Sequence, residues 1–91
     1  MEEKKQKAVA LKYDIGEDDA PKVIAKGKGS VADNIIKKAE ESNVEIYEDE
    51  KLVESLFGLE INEEIPEELY QAVAEIIFYI YSADERKKNS L

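Results

Sequence analysis

The chain has 91 residues, of which 13 are Lys or Arg and 22 are Asp or Glu, so its formal net charge is −9. It contains no Cys and no His, which excludes disulfide scaffolds, thiol nucleophiles and Cys-ligated metal sites and removes the commonest general base. The acidic excess argues against nucleic-acid binding, because contacts to phosphates need a basic face. With 43% hydrophobic residues, the composition indicates one small globular domain that is not an enzyme and uses no cofactor or metal.

No apolar run approaches the roughly 20 residues that a membrane-spanning helix needs. The first residues are charged rather than apolar, so no secretory signal is predicted. We therefore expect a cytoplasmic protein with a polar lead-in at residues 1–7, a folded domain at residues 8–83 and a charged tail at residues 84–91.

Short apolar segments predict three strands. Residues 8–13 place Val9 and Leu11 on one face and small residues on the other, so that a helix can approach closely. A second strand is predicted at residues 22–25 and a third at residues 44–47. Because a helix separates the last two, they are expected to be parallel and joined by a right-handed crossover. The predicted fold is therefore α/β, a small mixed sheet of about three strands surrounded by helices.

Three amphipathic stripes predict helices. Ser30 is the expected N-cap of the first helix, with Asp33 completing a variant capping box. Asp49 is the expected cap of a short second helix that Gly58 ends. The third begins at Pro66 and runs to about residue 83. Its apolar arc is wider than one packing surface needs, so it is either core throughout or partly a strip that faces a partner.

Two local motifs admit a ligand-binding interpretation. Residues 27–30 (GKGS) precede a helix, as in some anion sites, but lack the spacing of a Walker loop, so a tight turn is favoured. The acidic runs at residues 17–19 and 48–50 lack the alternating acids and central glycine of a calcium loop. They are interpreted as a solvated loop and a helix start.

Three longer segments occur in order along the chain: AVALKYD at 8–14, APKVIAKG at 20–27 and EIPEELYQAVAEII at 64–77. Together they resemble the cytoplasmic domain of the FlhB/YscU family, the specificity-switch components of the flagellar and type III secretion export gate. The segment at 44–57 fits this pattern more loosely. The resemblance covers about residues 7–82 and implies a small sheet wrapped by helices. The membrane part and linker helix of the family are missing, which implies a stand-alone FlhB-like protein.

The family's self-cleavage motif is also missing. Family members carry Asn-Pro-Thr-His before the AVAL strand and cut themselves between Asn and Pro. Here the matching positions read EKKQ at 3–6, and the two prolines, Pro21 and Pro66, follow Ala and Ile. The resemblance therefore implies a chain that does not cleave itself and that is similar to the family's C-terminal cleavage fragment.

In the family a strand precedes that motif and belongs to the sheet. Residues 1–7 are too short and too charged to replace it, so we expect an open sheet edge. Our hypothesis is that a membrane-bound relative lacking its own C-terminal portion supplies the strand in trans.

The resemblance further implies a small apolar patch that binds export substrates, and it falls on Ala20, Pro21, Ala74 and Ile77. Ala20 and Pro21 lie in a loop, and the proline ring partly fixes the backbone of that loop. Ala74 and Ile77 are three residues apart and share a helix face. From the residues alone, these two helical positions are equally interpretable as ordinary core.

These features favour a non-enzymatic component of flagellar or type III protein export. The implied partners are export-gate proteins of the FlhB family, export substrates or the hook-length control protein, with recruitment to the inner face of the membrane. The alternative is a soluble cytosolic adaptor or decoy that binds substrates without joining the gate. An anion- or nucleotide-binding protein is a remote alternative.

Overall fold

The computed structural model describes residues 6–14 and 16–89, with side chains described as far as residue 80. Its elements, in chain order, are β1 (Lys7–Lys12), β2 (Lys22–Lys28), α1 (Ser30–Glu41), α2 (Glu50–Phe57), a 3-10 turn (Glu67–Leu69) and α3 (Tyr70–Asn89). The predicted α/β class is confirmed. The third helix starts with the 3-10 turn after Pro66 and continues to Asn89, through residues that were expected to form a charged tail.

The sheet consists of β1 and β2, which pair in antiparallel fashion. The register shifts once, because Ala10 lies opposite Ala25 whereas Leu11 lies opposite Val23. Ile24 is therefore an extra residue on β2, as in a β-bulge. The bulge changes which side chain of β2 faces inward: Val23 is fully buried on the side of Leu11, whereas Ile24 is exposed.

The prediction of a third strand at residues 44–47 was wrong. The end of α1 turns at Asn43, whose φ is 59°, and the N–H of Val44 donates to the carbonyl of Ala39 at 2.8 Å, as in a Schellman motif. The chain then runs to Asp49 without joining a sheet. The parallel crossover was wrong for the same reason: within the described residues, the ladder is antiparallel and joins only β1 and β2.

One face of the sheet is built from small residues and carries α1. A Cβ atom added to Gly27 would lie only 2.7 Å from the Cβ of Val31. Helix α1 and β2 are therefore closer together at this point than a residue larger than glycine at position 27 would allow. Ala32 is fully buried in this contact. The expectation that small strand residues admit a helix is confirmed.

The predicted capping box at Ser30 was wrong. Gly29 occupies the N-cap position with φ 63° and ψ −129°, and no side chain caps the helix. The N–H of Gly29 instead donates to the carbonyl of Gln6 at 2.8 Å, which extends the sheet contact to the start of the helix. A left-handed backbone at this position suits glycine, so Ser30 becomes the first helical residue.

The other face of the sheet covers the core. Four buried residues form its centre: Ala20, Leu56, Ile65 and Val73. Val9, Leu11 and further partly buried apolar side chains pack against them. These residues come from the loop before β2, from α2, from the segment before the 3-10 turn and from α3. The core therefore lies between β1, α2 and the first two turns of α3.

Helix α2 is held at both ends by polar contacts. Asp49 accepts a hydrogen bond from the N–H of Leu52 at 3.0 Å, which confirms the predicted cap. At the other end, the ammonium group of Lys26 donates to the carbonyls of Phe57 at 3.1 Å and of Leu59 at 2.6 Å. A cation at these unpaired carbonyls also complements the negative end of the helix dipole. The contact fixes the end of α2 to β2.

Candidate peptide-binding surface

Helix α3 has two apolar sides, and only one is packed. Val73 and Ile77 pack into the core together with Leu69 of the preceding 3-10 turn, and Val73 is almost fully buried. Three further residues recur at intervals of four on an adjacent side: Tyr70, Ala74 and Phe78. We call these three residues the α3 ridge. All three are exposed, Tyr70 to 44% and Phe78 to 74%, so the described part of the domain leaves this side of the helix uncovered.

The four residues expected to bind substrates differ in accessibility. Ala20 retains 3% of its exposed surface and Pro21 is also buried. Ile77 is half-buried and packs against the cluster that contains Ala20. Ala74 is exposed. The fold thus brings three of these residues to one part of the core, while Ala74 presents its methyl group on the outer side of α3.

The position of Ala74 distinguishes the two interpretations that the sequence left open for this residue. An exposed alanine between two exposed aromatic residues is not core packing. Ile77 is partly buried, and its side chain contacts the buried cluster.

Sequence reasoning did not name Tyr70 or Phe78 as candidate binding residues. It placed both in the broad apolar arc of the third helix without separating its two sides. The available signal is their spacing, since both lie four residues from Ala74 and therefore on the same face.

A second apolar surface surrounds the extended segment at residues 44–47. Val44 is 57% exposed and Ile46 is 42% exposed. The ring of Tyr47 meets that of Tyr79 edge-on, with centroids 6.3 Å apart. This aromatic pair connects the extended segment to α3.

The segment of the chain that carries the α3 ridge is acidic. Residues 52–85 contain nine carboxylates and no Lys or Arg. Among these, Glu67, Glu68 and Glu75 are exposed on the 3-10 turn and on α3. A ligand of this surface therefore encounters apolar side chains bordered by negative charge.

Lysine is paired with acid elsewhere on the surface. Lys12 forms an ion pair with Asp14 at 3.1 Å. The hydrogen bond and charge of Asp14, together with the charge of Asp18, raise the pKa of Lys12. The N–H of Asp14 donates to a carboxylate oxygen of Asp18 at 2.9 Å. The acidic run at residues 17–19 thus contributes to an ordered loop.

The motifs with a ligand-binding interpretation have structural explanations. Gly27 lies within β2 against Val31, and Gly29 provides the left-handed backbone at the start of α1. The run at residues 48–50 contains the cap of α2. Among the residues whose positions are described, no three acidic side chains converge as a metal site requires. None of the described helices combines the length and apolar character needed to cross a membrane.

Comparison with known proteins gives the same family along the chain. The family described as "FlhB HrpN YscU SpaS Family" matches residues 5–80. The Bacillus subtilis protein YlqH, described as uncharacterized, is 56% identical over 84 residues, which cover 92% of this chain and 90% of YlqH. The flagellar biosynthetic protein FlhB of Aquifex aeolicus is 42% identical over 74 residues, covering 80% of this chain but 21% of FlhB. The chain thus spans about a fifth of that longer relative.

The fold agrees with a solved structure of the same kind. The cytoplasmic domain of FlhB from Shewanella putrefaciens superposes with a TM-score of 0.84 and 35% sequence identity, covering 90% of this chain and 68% of that one. The fold and these matches define a domain of the same kind as the cytoplasmic domain of FlhB. The chain belongs to the FlhB/YscU family of export proteins, as the resemblance of its three segments predicted.

Proposed function

We propose that this protein is a non-enzymatic component of flagellar or type III protein export that works in the cytoplasm at the inner face of the membrane. In this role it resembles the C-terminal cleavage fragment of the gate's specificity switch, and it binds gate proteins of the FlhB family together with export substrates. The chain contains no Asn-Pro pair, so the proposed role involves no self-cleavage. The observation that carries the proposal is a β1 edge to which the described residues add no second strand.

The two edges of the sheet differ. On the edge of β2, the N–H of Val23 donates to the carbonyl of Glu63 at 3.0 Å, and the N–H of Ile65 donates to the carbonyl of Pro21 at 2.9 Å. Lys22 and Glu64 form an antiparallel bridge there. On the other edge, the described residues provide β1 with no second ladder partner. An unpaired edge is a template for one more strand.

The segment at residues 44–47 supports the same conclusion. It connects α1, which packs on one face of the sheet, to α2, which packs on the other, so it passes round the sheet. No ladder among the described residues includes this segment, and Val44 and Ile46 are exposed. A strand added at the β1 edge would pair that edge, and in the proposed complex it also covers Val44 and Ile46. We infer that a membrane-bound gate relative lacking its own C-terminal portion donates that strand in trans.

Co-purification tests the gate interaction. The full chain is expressed with a tagged gate protein truncated before its own counterpart of β1, and the complex is isolated in detergent. Ile46→Lys should abolish co-purification, because an ammonium group replaces an apolar side chain under the incoming strand. The matched control is Ile61→Lys, which changes an equally exposed isoleucine (46% against 42%) away from this segment and should retain binding.

Three results would contradict the proposed gate interaction. The first two are no complex at micromolar concentrations and equal binding by both variants. The third is a β1 edge that is already paired, either with another part of the same chain or with a second copy. Hydrogen exchange at residues 7–12 identifies the last case, since an occupied edge protects those amides before the gate protein is added.

Substrate binding is the second part of the proposal. It is assigned to Ala20, Pro21, Ala74 and Ile77, of which Ala74 is the exposed member. Ala74→Asp should weaken the binding of labelled export-substrate segments about 10-fold, because it buries a carboxylate beneath an apolar ligand. The exposure of Ala74 predicts that this variant stays folded. Loss of the circular dichroism spectrum, or unchanged affinity in a folded variant, would contradict the assignment.

The alternative role is a soluble adaptor or decoy that binds substrates without joining the gate. Membrane fractionation separates the two, because a gate component follows the membrane only in cells that contain the export gate. Hook-length control protein and substrates are the partners to probe in both fractions. A thermal-shift screen with nucleotides tests the remote anion-binding alternative, since a tight ligand raises the melting temperature.

A further inference from the structure

The α3 ridge has a shape that suits one inserted side chain. Tyr70 and Phe78 lie one turn before and one turn after Ala74, so two exposed rings flank a single methyl group. The distance along the helix from Tyr70 to Phe78 is about 12 Å. A gap of this kind between two large side chains is where a side chain of a second helix packs.

Two negative charges are close to the ridge in the chain. Glu67 lies in the 3-10 turn, three residues before Tyr70, and Glu75 directly follows Ala74 on α3. Both are exposed. No basic residue occurs between residues 52 and 85 to balance them.

We propose that the α3 ridge binds a cationic amphipathic helix, with one apolar side chain of that helix in the gap at Ala74 and its Lys or Arg residues facing Glu67 and Glu75. The inference rests on the proposed function, because it takes this surface as the substrate-binding one, and it adds the charge and conformation of the ligand. A second copy of the chain is disfavoured, since it carries the same net charge of −9. An anionic lipid surface is repelled for the same reason.

Fluorescence anisotropy with two synthetic probes tests this inference. The first is a labelled helix of Leu and Lys with Leu at helical spacing, and the second is the same helix with every Lys replaced by Glu. The full chain should bind the Lys probe, and the affinity should fall as salt is raised. The Glu probe should not bind.

Charge-reversed variants locate the contact. Glu67→Lys combined with Glu75→Lys should weaken binding of the Lys probe roughly 10-fold, because each change removes an attraction and adds a repulsion. The matched control combines Glu40→Lys with Glu41→Lys on α1, which changes net charge equally at exposed positions, and should alter the affinity less than about 2-fold. Circular dichroism verifies that both double variants are folded.

Several outcomes would overturn the inference. The first two are an equal loss of affinity for the Lys probe in both double variants and equal binding of the two probes. The third is a dimer, detected by analytical ultracentrifugation, that Phe78→Ser dissociates. The fourth is binding of the protein to anionic vesicles in competition with the probe. Labelled export-substrate segments separate this inference from the proposed function. If they bind at Ala74 but are insensitive to the reversal at Glu67 and Glu75, the charge assignment fails while substrate binding stands. If the Lys probe binds the ridge and no substrate segment does, the proposed function fails instead.

Discussion

Replacing Lys26 by methionine tests the contact that joins α2 to the sheet. The change keeps most of the apolar stem and removes the ammonium group, which donates to the carbonyls of Phe57 and Leu59 and lies 5.5 Å from the centre of the Phe57 ring. Hydrogen bonds from charged groups contribute about 1.5–3 kcal/mol each when fully formed. Because Lys26 is only partly buried, its two hydrogen bonds together contribute less than twice this value. We expect the free energy of unfolding to fall by about 2–3 kcal/mol.

The loss is large relative to the whole domain, since the free energy of unfolding of a small domain is about 5–15 kcal/mol. Urea denaturation followed by circular dichroism measures it. With a slope of about 1 kcal/mol per molar urea for a chain of this size, the midpoint should fall by about 2–3 M. The slope itself should not change, because the variant exposes the same surface on unfolding.

The matched control is Lys28→Met, an exposed lysine two residues further along β2. It removes the same charge from the same strand and should shift the midpoint by less than about 0.5 M, the range usual for surface substitutions. If Lys26→Met and Lys28→Met have equal midpoints, Lys26 does not hold the end of α2, and the reasoning is refuted.

Two further substitutions test how the helices are positioned. Gly27→Ala should cost about 2–4 kcal/mol, because the new methyl group collides with Val31; urea denaturation measures the loss, and adding Val31→Ala should restore part of it if the collision is the cause. Asp49→Ala should cost about 1 kcal/mol through loss of the cap on Leu52, while Asp49→Asn should retain most of the stability. An equal loss in the alanine and asparagine variants would show that the carboxylate acts through charge rather than as a cap.

Local patterns in the sequence were sufficient to predict the helices and the face of one strand that meets the core. The spacing of Leu52 and Leu56 predicted the buried side of α2, and Asp49 was predicted as its cap. The alternation of Val9 and Leu11 predicted which face of β1 meets the core. These features depend on residues close together in the chain, so their physical causes are visible in the sequence.

Features that depend on distant residues were predicted incorrectly or were not predicted. The segment at residues 44–47 has the alternation of a strand, but a strand also needs a neighbouring strand, and no ladder among the described residues includes this segment. Ser30 has the chemistry of an N-cap, but the backbone of Gly29 turns first because it pairs with Gln6. The bulge at Ile24 follows from the register between two strands, which neither strand specifies alone.

The candidate site shows the same division. The sequence by itself determined that the third helix carries more apolar surface than one packing face requires, because helical spacing alone places Val73, Ala74 and Phe78 around a wide arc. The tertiary structure decided which part of that arc is covered. Val73 is buried because the loop before β2 and α2 pack against it, and Ala74 and Phe78 are exposed because no described element reaches their side of α3.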